Sequence, residues 1–142
     1  MLPVSDSVEL QNLDLLVVEY RGKESLITGS VFCIDFLFRG VLSKFINENN
    51  GDDDDFLVIL DKGMGVKNIL LINNKKGIKE KFAEKFENRL RKLNLSTVGV
   101  VFFDLSCNNI NNKNREIIKE ISYRNRCEIF LYPEGKSIKM LN

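Results

Sequence analysis

The feature that most constrains the fold is a strand–helix–strand pattern between residues 68 and 104. Asn68–Asn73 (NILLIN) and 97–104 (TVGVVFFD) are apolar runs of strand length, and the second is apolar on both faces. Between them, after Gly77, apolar residues recur near helical spacing at Ile78, Phe82, Phe86, Leu90 and Leu93. Because a helical crossover within one sheet is nearly always right-handed, the two strands are predicted to be parallel.

Earlier runs extend this pattern. Residues 13–20 (LDLLVVEY) indicate a buried strand, and 56–60 (FLVIL) indicate a second strand that forms an antiparallel hairpin with Asn68–Asn73. Between these runs, apolar positions from 34 to 46 follow the i, i+3, i+4 spacing and predict one amphipathic helix. Gly40 lies inside that helix, where we expect it to mark close approach to a neighbour.

The pattern repeats towards the end of the chain. A helix carrying Ile117, Ile118 and Ile121 leads to a last strand at 127–132, and residues 138–142 either add an edge strand or fray. The sum is a three-layer α/β/α fold with a mixed, mostly parallel sheet of about five or six strands. At 142 residues, we expect one domain spanning 1–142.

Composition argues against catalysis. The chain has no histidine, the commonest general base, and its three cysteines form no Cys-x-x-Cys pair. We therefore expect no catalytic residue, no metal site and no cofactor. The first residues lack the layout of a secretory signal and no apolar stretch is long enough to span a bilayer, which predicts a cytoplasmic protein with no membrane partner.

Charge is distributed unevenly, although the net charge is only +1. Residues 1–61 hold 4 Lys+Arg against 12 Asp+Glu, and the remainder holds 17 against 8. Such asymmetry indicates either a basic face that binds an anionic partner or an oligomer in which the acidic part of one copy contacts the basic part of another.

The order of these elements resembles the N-terminal domain of the leucine aminopeptidase (cytosol aminopeptidase) family. The residues that carry the resemblance are 13–18, Ile34-Asp35 with Gly40-Val41-Leu42, and 56–73, where FLVIL leads through a glycine turn to KNILLI. The turn at 73–77 departs from the glycine-lysine turn of that family. The resemblance implies a macro-domain-like fold and a role in assembly. The family's catalytic signature Asn-Thr-Asp-Ala-Glu-Gly-Arg is absent, so no catalytic or metal residue is carried over.

Two loop segments have the composition of binding motifs without their spacing. Asp52, Asp53, Asp54 and Asp55 lack the glycine and the closing glutamate of a calcium loop, and we interpret them as a solvated turn. Gly63-Met64-Gly65 leads into a strand rather than a helix, which is typical of a turn and not of a phosphate loop. The asparagine-rich and glycine-rich loops of ADP-ribose-binding macro domains are not recognisable.

If a ligand binds, the crevice outside the carboxyl ends of parallel strands is the favoured place. Those ends bring Asn73, Asn74, Asp104 and Ser106 near one another, and these are the predicted ligand-binding residues. The alternative interpretation is that all four are ordinary turn and capping residues.

Two further groups of residues have a functional and a structural interpretation. Residues 75–92 carry eight Lys+Arg and three Glu, which suits either phosphate contacts or a solvated helix with local ion pairs. Cys33, Cys107 and Cys127 lie in or beside apolar runs without a nearby histidine, and we interpret them as small hydrophobic residues rather than nucleophiles.

These observations lead to one principal hypothesis and two alternatives. The principal hypothesis is a non-catalytic interaction or assembly module that binds itself or another protein. The alternative is a macro-like domain that binds a small nucleotide or an ADP-ribose-type molecule. The weaker alternative is nucleic-acid binding through the basic helix, which would weaken steeply with salt.

Overall fold

A computed structural model describes residues 4–6, 9–10, 12–21, 29–48, 55–59, 65–74, 79–93, 95–101, 111–132 and 139–140. In chain order its elements are β1 (Val4–Asp6), β2 (Glu9–Leu10), β3 (Leu15–Tyr20), α1 (Gly29–Leu37), α2 (Val41–Glu48), β4 (Phe56–Ile59), β5 (Asn68–Asn73), α3 (Lys79–Leu93), β6 (Thr97–Val101), α4 (Asn111–Asn125), β7 (Glu128–Tyr132) and β8 (Lys139–Met140). None of the helices among these residues is both long and apolar enough to cross a membrane.

Six of the strands form one sheet in the order β1-β7-β6-β3-β5-β4. All neighbours in it are parallel except β4, which runs antiparallel to β5. The strands β2 and β8 form a separate parallel pair. The predicted α/β class with a mixed, mostly parallel sheet is confirmed, and so is the hairpin of β4 and β5.

Alternate side chains of each inner strand point to opposite faces of the sheet. These side chains are apolar on both faces, so helices cover both. On one face, Leu16, Val18 and Tyr20 of β3 pack against α1 and α2. On the other face, Leu15 and Val17 pack against α3 and α4. Every residue of β3 is buried, which explains why its sequence is almost continuously apolar.

The two strands around α3 are parallel as predicted, but they are not neighbours. Both pair with β3, so that β3 lies between β5 and β6. The sequence indicates only that the strands share a direction, because sheet order depends on pairing between distant residues. The strands β1 and β2 were not predicted, since runs of two or three residues carry no periodic signal.

The single helix predicted over residues 34–46 is wrong, because the chain breaks there into α1 and α2. Arg39 and Gly40 have φ angles of 57° and 78°, in the left-handed region that ends helices. Asp35 then caps α2, its carboxylate accepting hydrogen bonds from the backbone N–H of Ser43 (3.0 Å) and from the Ser43 hydroxyl. Apart from its chain neighbours, no atom of the described residues lies within 4 Å of a Cβ built on Gly40, so this glycine serves the turn and not a close approach.

Close approach occurs at Gly99, in the middle of β6. A Cβ at this position would lie 2.7 Å from side-chain carbons of both Leu13 and Tyr132. The absence of a side chain at Gly99 therefore lets residues from outside β6 pack directly over the strand.

The amino ends of the three central strands are joined through Asp14, just before β3. Its carboxylate accepts hydrogen bonds from Ser96 N–H, Ser96 Oγ, Thr97 N–H and Lys67 Nζ, at 2.9 to 3.3 Å. The Asn68 side-chain amide donates to the Asp14 carbonyl at 3.2 Å. Burial raises the pKa of the Asp14 carboxyl, but the hydrogen bonds from Ser96, Lys67 and Thr97 outweigh it and lower the pKa from 3.8 to about 2.

We predict that Asp14→Asn reduces the acid sensitivity of the fold. Because the folded-state pKa is lowered, the carboxylate stabilises the protein above pH ~4, and this contribution disappears as pH falls towards 2. It amounts to about 1–2 kcal/mol after allowance for partial exposure. Urea unfolding at several pH values measures it: the wild type should lose more stability between pH 5 and pH 2.5 than the variant, and equal slopes would contradict the assignment.

Candidate functional site

The site that the topology favours lies at the carboxyl ends of the parallel strands, which we call the carboxyl edge. From β3 the chain passes to α1 on one face of the sheet, whereas from β5 and β6 it passes to α3 and α4 on the other face. Connections that leave adjacent strands towards opposite faces open a crevice between them. One such crevice is expected between β3 and β6, and another between β3 and β5.

The crevice between β3 and β5 is closed by contacts of the chain itself. The Asn74 side-chain amide donates to Glu19 Oε2 at 2.7 Å, and Asn74 N–H donates to the Tyr20 carbonyl at 2.8 Å. Glu19 is fully buried and Asn74 is almost so. The Glu19–Asn74 pair therefore joins the carboxyl ends of the two strands on the side covered by α3 and α4.

A second set of contacts holds the end of β5 to β4, its neighbour on the side away from β3. Asn73 N–H donates to Asp55 Oδ1 at 2.8 Å, and Lys85 Nζ donates to the Asn73 carbonyl at 3.1 Å. Lys85 Nζ also lies 3.3 Å from Asp55 Oδ1. Asp55 thus ties the start of β4 to the end of β5 and to α3.

Two of the four predicted ligand-binding residues lie where the prediction put them. Asn73 is the last residue of β5 at the carboxyl edge, Asn74 directly follows it, and both are buried. Asp104 and Ser106 lie outside the described residues. Since β3 separates β5 from β6, the axes of these strands are about 9–10 Å apart, so their ends are not immediate neighbours. The role of the four residues in binding stays a prediction.

The side of β3 that faces β6 has different surroundings. The helix α4 connects β6 to its parallel neighbour β7, so α4 begins at the carboxyl edge, whereas α1 follows β3 on the opposite face of the sheet. Helix N-termini present N–H groups and a partial positive charge. Arg21, half-buried, directly follows the end of β3 and adds a cationic side chain there. An anion at this crevice would be favoured electrostatically.

Sequence reasoning missed Glu19 and Arg21 as site residues. The signal was present, because Glu19 is a charged residue inside the apolar run of residues 13–20. A carboxylate that is buried in this way requires hydrogen-bond donors, which here include the Asn74 amide. Lys85 carried no such signal, since it is one of eight cations between residues 75 and 92.

The other sequence candidates fall into structural roles where they are described. Gly65 has a φ angle of 78°, as the turn interpretation requires, while Gly63 and Met64 lie outside the described residues, as do Asp52, Asp53 and Asp54. In the basic helix, Glu87 pairs with Arg91 one turn away at 3.5 Å.

Glu87 also joins α3 to α4. It accepts two hydrogen bonds from the Arg124 guanidinium at 2.9 Å each and a third from the Asn125 amide at 2.8 Å. The hydrogen bonds from Arg124 are the main reason why the pKa of Glu87 is lowered.

Cys127 lacks nucleophilic character. Burial, with added repulsion from Asp14 and Glu128, raises the pKa of the Cys127 thiol to about 11, so it stays protonated. Cys33 is half-buried, and Cys107 lies outside the described residues. No three acidic or cysteine side chains in the described part of the chain come close enough together to hold a metal ion.

Comparison with solved structures defines the fold further. The macrodomain of Thermus aquaticus DarG matches with a TM-score of 0.63 at 11% identity, over 91% of this chain and 97% of that chain. The chain has the macrodomain fold. A macrodomain protein from Streptomyces coelicolor matches with a TM-score of 0.54 at 9% identity, over the same shares of the two chains. No protein-family model matches the sequence. No curated protein matches it either.

The resemblance to the N-terminal domain of leucine aminopeptidases is wrong. The structural neighbours are macrodomain proteins and not aminopeptidase domains. The resemblance depended on the order of apolar runs, such as 56–60 followed by Asn68–Asn73, and apolar runs record which strands are buried rather than which family they belong to. Whether the macrodomain fold of this chain assembles with itself or another protein stays a prediction.

We predict that Glu19→Ala destabilises the protein by about 2–4 kcal/mol, because it leaves the buried Asn74 amide without this acceptor and opens a cavity. Glu19→Gln keeps an oxygen acceptor and should recover more than half of that loss. Glu48→Ala, at an exposed position of α2, is the control and should change stability by less than about 0.5 kcal/mol. Urea unfolding measures all three, and equal losses for the alanine and glutamine variants would show that the hydrogen bond is unimportant.

Proposed function

We propose that this protein binds an ADP-ribose-type nucleotide at the carboxyl edge, in the crevice between β3 and β6. The observation that carries the proposal is the macrodomain fold, since macrodomains bind nucleotides of this type. The topology supports the location. Contacts of the chain itself join β3 and β5 at this edge, and we therefore place the ligand between β3 and β6.

Electrostatics support a ligand with a diphosphate. The two phosphates carry negative charge, and the N-terminus of α4 lies at the carboxyl edge. Arg21 supplies a full positive charge at the end of β3. In this proposal the diphosphate lies across the end of β3 beside Arg21, and the nucleoside and the second ribose extend to either side.

We further propose that the protein binds without turnover. Hydrolysis of an ADP-ribosyl bond needs a group that activates water and reaches the bond. The sequence offers no histidine for this task, and the carboxylate of Glu19 at the carboxyl edge is fully buried and held by Asn74. A ligand is therefore expected to leave unchanged.

We predict that ADP-ribose raises the melting temperature of the protein. Ligand at about a hundred times its dissociation constant adds roughly 2.7 kcal/mol of stability. Arg21→Gln should weaken binding about tenfold or more, because one charge-assisted contact to phosphate is lost. Arg126→Gln is the matched control, since Arg126 follows the end of α4 at the opposite edge of the sheet. Calorimetric titration of the three proteins measures these affinities.

The location would be wrong if Arg126→Gln weakened ADP-ribose binding as much as Arg21→Gln. The function would be wrong if neither ADP-ribose nor ADP bound at millimolar concentration. Turnover is tested separately by incubation with an ADP-ribosylated protein, and we expect no release of ADP-ribose above the rate without the protein. Release that depends on the protein would contradict the proposal of binding alone, and its loss in Glu19→Gln would assign the step to this carboxylate.

A further inference from the structure

The strand β4 forms one end of the main sheet. It pairs with β5 on one side, and no strand of the described residues pairs with its other side. An edge of this kind presents backbone N–H and C=O groups that accept a further strand. In many proteins such an edge binds an extended peptide by strand addition.

The exposed apolar side chains of β4 point to the face that α3 and α4 cover. Leu57 lies opposite Leu70, which belongs to the core beneath these helices, and Ile59 lies two residues further along the same face. Leu57 is 37% exposed and Ile59 is 80% exposed. The helices therefore do not extend over β4, and the apolar floor beside α3 is open.

The side of α3 that faces β4 carries four basic residues. Lys85 marks this side, because its Nζ contacts Asp55 at the start of β4. Helical periodicity places Lys81, Arg89 and Lys92 on the same side, within about 40° of Lys85 around the helix axis. The side that faces α4 is instead marked by Glu87, through its contacts with Arg124 and Asn125.

Most of this basic side is not neutralised by described residues. Lys85 pairs with Asp55, whereas no ion pair joins Lys81, Arg89 or Lys92 to another described residue. We define the β4 groove as the floor formed by Leu57 and Ile59 together with the wall formed by Lys81, Lys85, Arg89 and Lys92. The positive charge of its wall favours an acidic ligand, and its apolar floor favours apolar side chains in that ligand.

A second copy of the chain fits this groove poorly. Antiparallel pairing of β4 with β4 of another copy places a twofold axis perpendicular to the sheet, so the α3 helices of both copies lie on the same face. Their basic sides would then face each other across the two floors. Like charges opposed in this way disfavour the dimer.

We propose that the β4 groove binds an extended acidic peptide, which adds to the sheet as a strand beside β4. Its backbone pairs with the open edge of β4, its apolar side chains cover Leu57 and Ile59, and its carboxylates reach Lys81, Arg89 and Lys92. Lys85 of this groove also contacts Asn73 at the carboxyl edge, but the inference does not depend on nucleotide binding.

The test uses a labelled peptide of about eight residues that alternates glutamate and valine, long enough to match a strand. We expect saturable binding by fluorescence anisotropy, affinity that falls with salt, and slower hydrogen exchange at the amides of β4 when the peptide is bound. The double variant Lys81→Glu/Arg89→Glu should bind about tenfold more weakly, and Ile59→Lys should also weaken binding. Thermal unfolding of each variant verifies that it is folded.

Three controls make the test decisive. Lys44→Glu introduces a charge reversal at an exposed position of α2, on the opposite face, and should leave affinity unchanged. Peptides with lysine in place of glutamate, or with proline in place of valine, should not bind, because they lack the charge or cannot pair as a strand. The proposal is overturned by a folded protein that does not bind the acidic peptide, by equal losses for Lys44→Glu and the double variant, or by protection of β4 through dimerisation alone.

Discussion

The architecture depends on the burial of β3 between two parallel neighbours and two layers of helices. With both faces and both edges covered, this strand has no exposed residue. The connections from β3 and from its two neighbours then leave the carboxyl edge towards opposite faces, to α1 on one face and to α3 and α4 on the other. The crevice at the carboxyl edge is therefore a consequence of how the core is covered, and a ligand site there needs no separate structural device.

The parts of the fold that sequence reasoning predicted correctly are those set by local burial. The hairpin of β4 and β5 and the helix α3 follow from apolar runs and periodicity. The break between α1 and α2 was missed because a left-handed turn at Arg39 and Gly40 leaves the apolar spacing unchanged. The order of the strands in the sheet could not be predicted from the sequence, because it depends on contacts such as those of Asp14, which join residues far apart in the chain.

In the candidate site, too, sequence reasoning located residues correctly but missed the long-range contacts that they make. The rule that ligands bind at carboxyl ends led to Asn73 and Asn74, which do lie there. It did not reveal that Asn74 is engaged by Glu19, because that contact joins residues 55 positions apart. A buried carboxylate costs free energy unless hydrogen-bond donors surround it, which accounts for the Asn74 side chain beside Glu19. In the proposed function the ligand therefore lies on the other side of β3. Ile59 of β4 is 80% exposed and contributes little to the core, and in our proposal an added strand covers it.

The central claim is that β3 separates a closed crevice on the side of β5 from a ligand crevice on the side of β6. Backbone chemical-shift mapping by NMR during titration with ADP-ribose tests it most directly. The account predicts the largest changes at Arg21 and Val101, where β3 and β6 end, with smaller changes at Asn74. Changes centred on Asn73 and Asn74, or at the amino ends of the strands near Asp14, would contradict it.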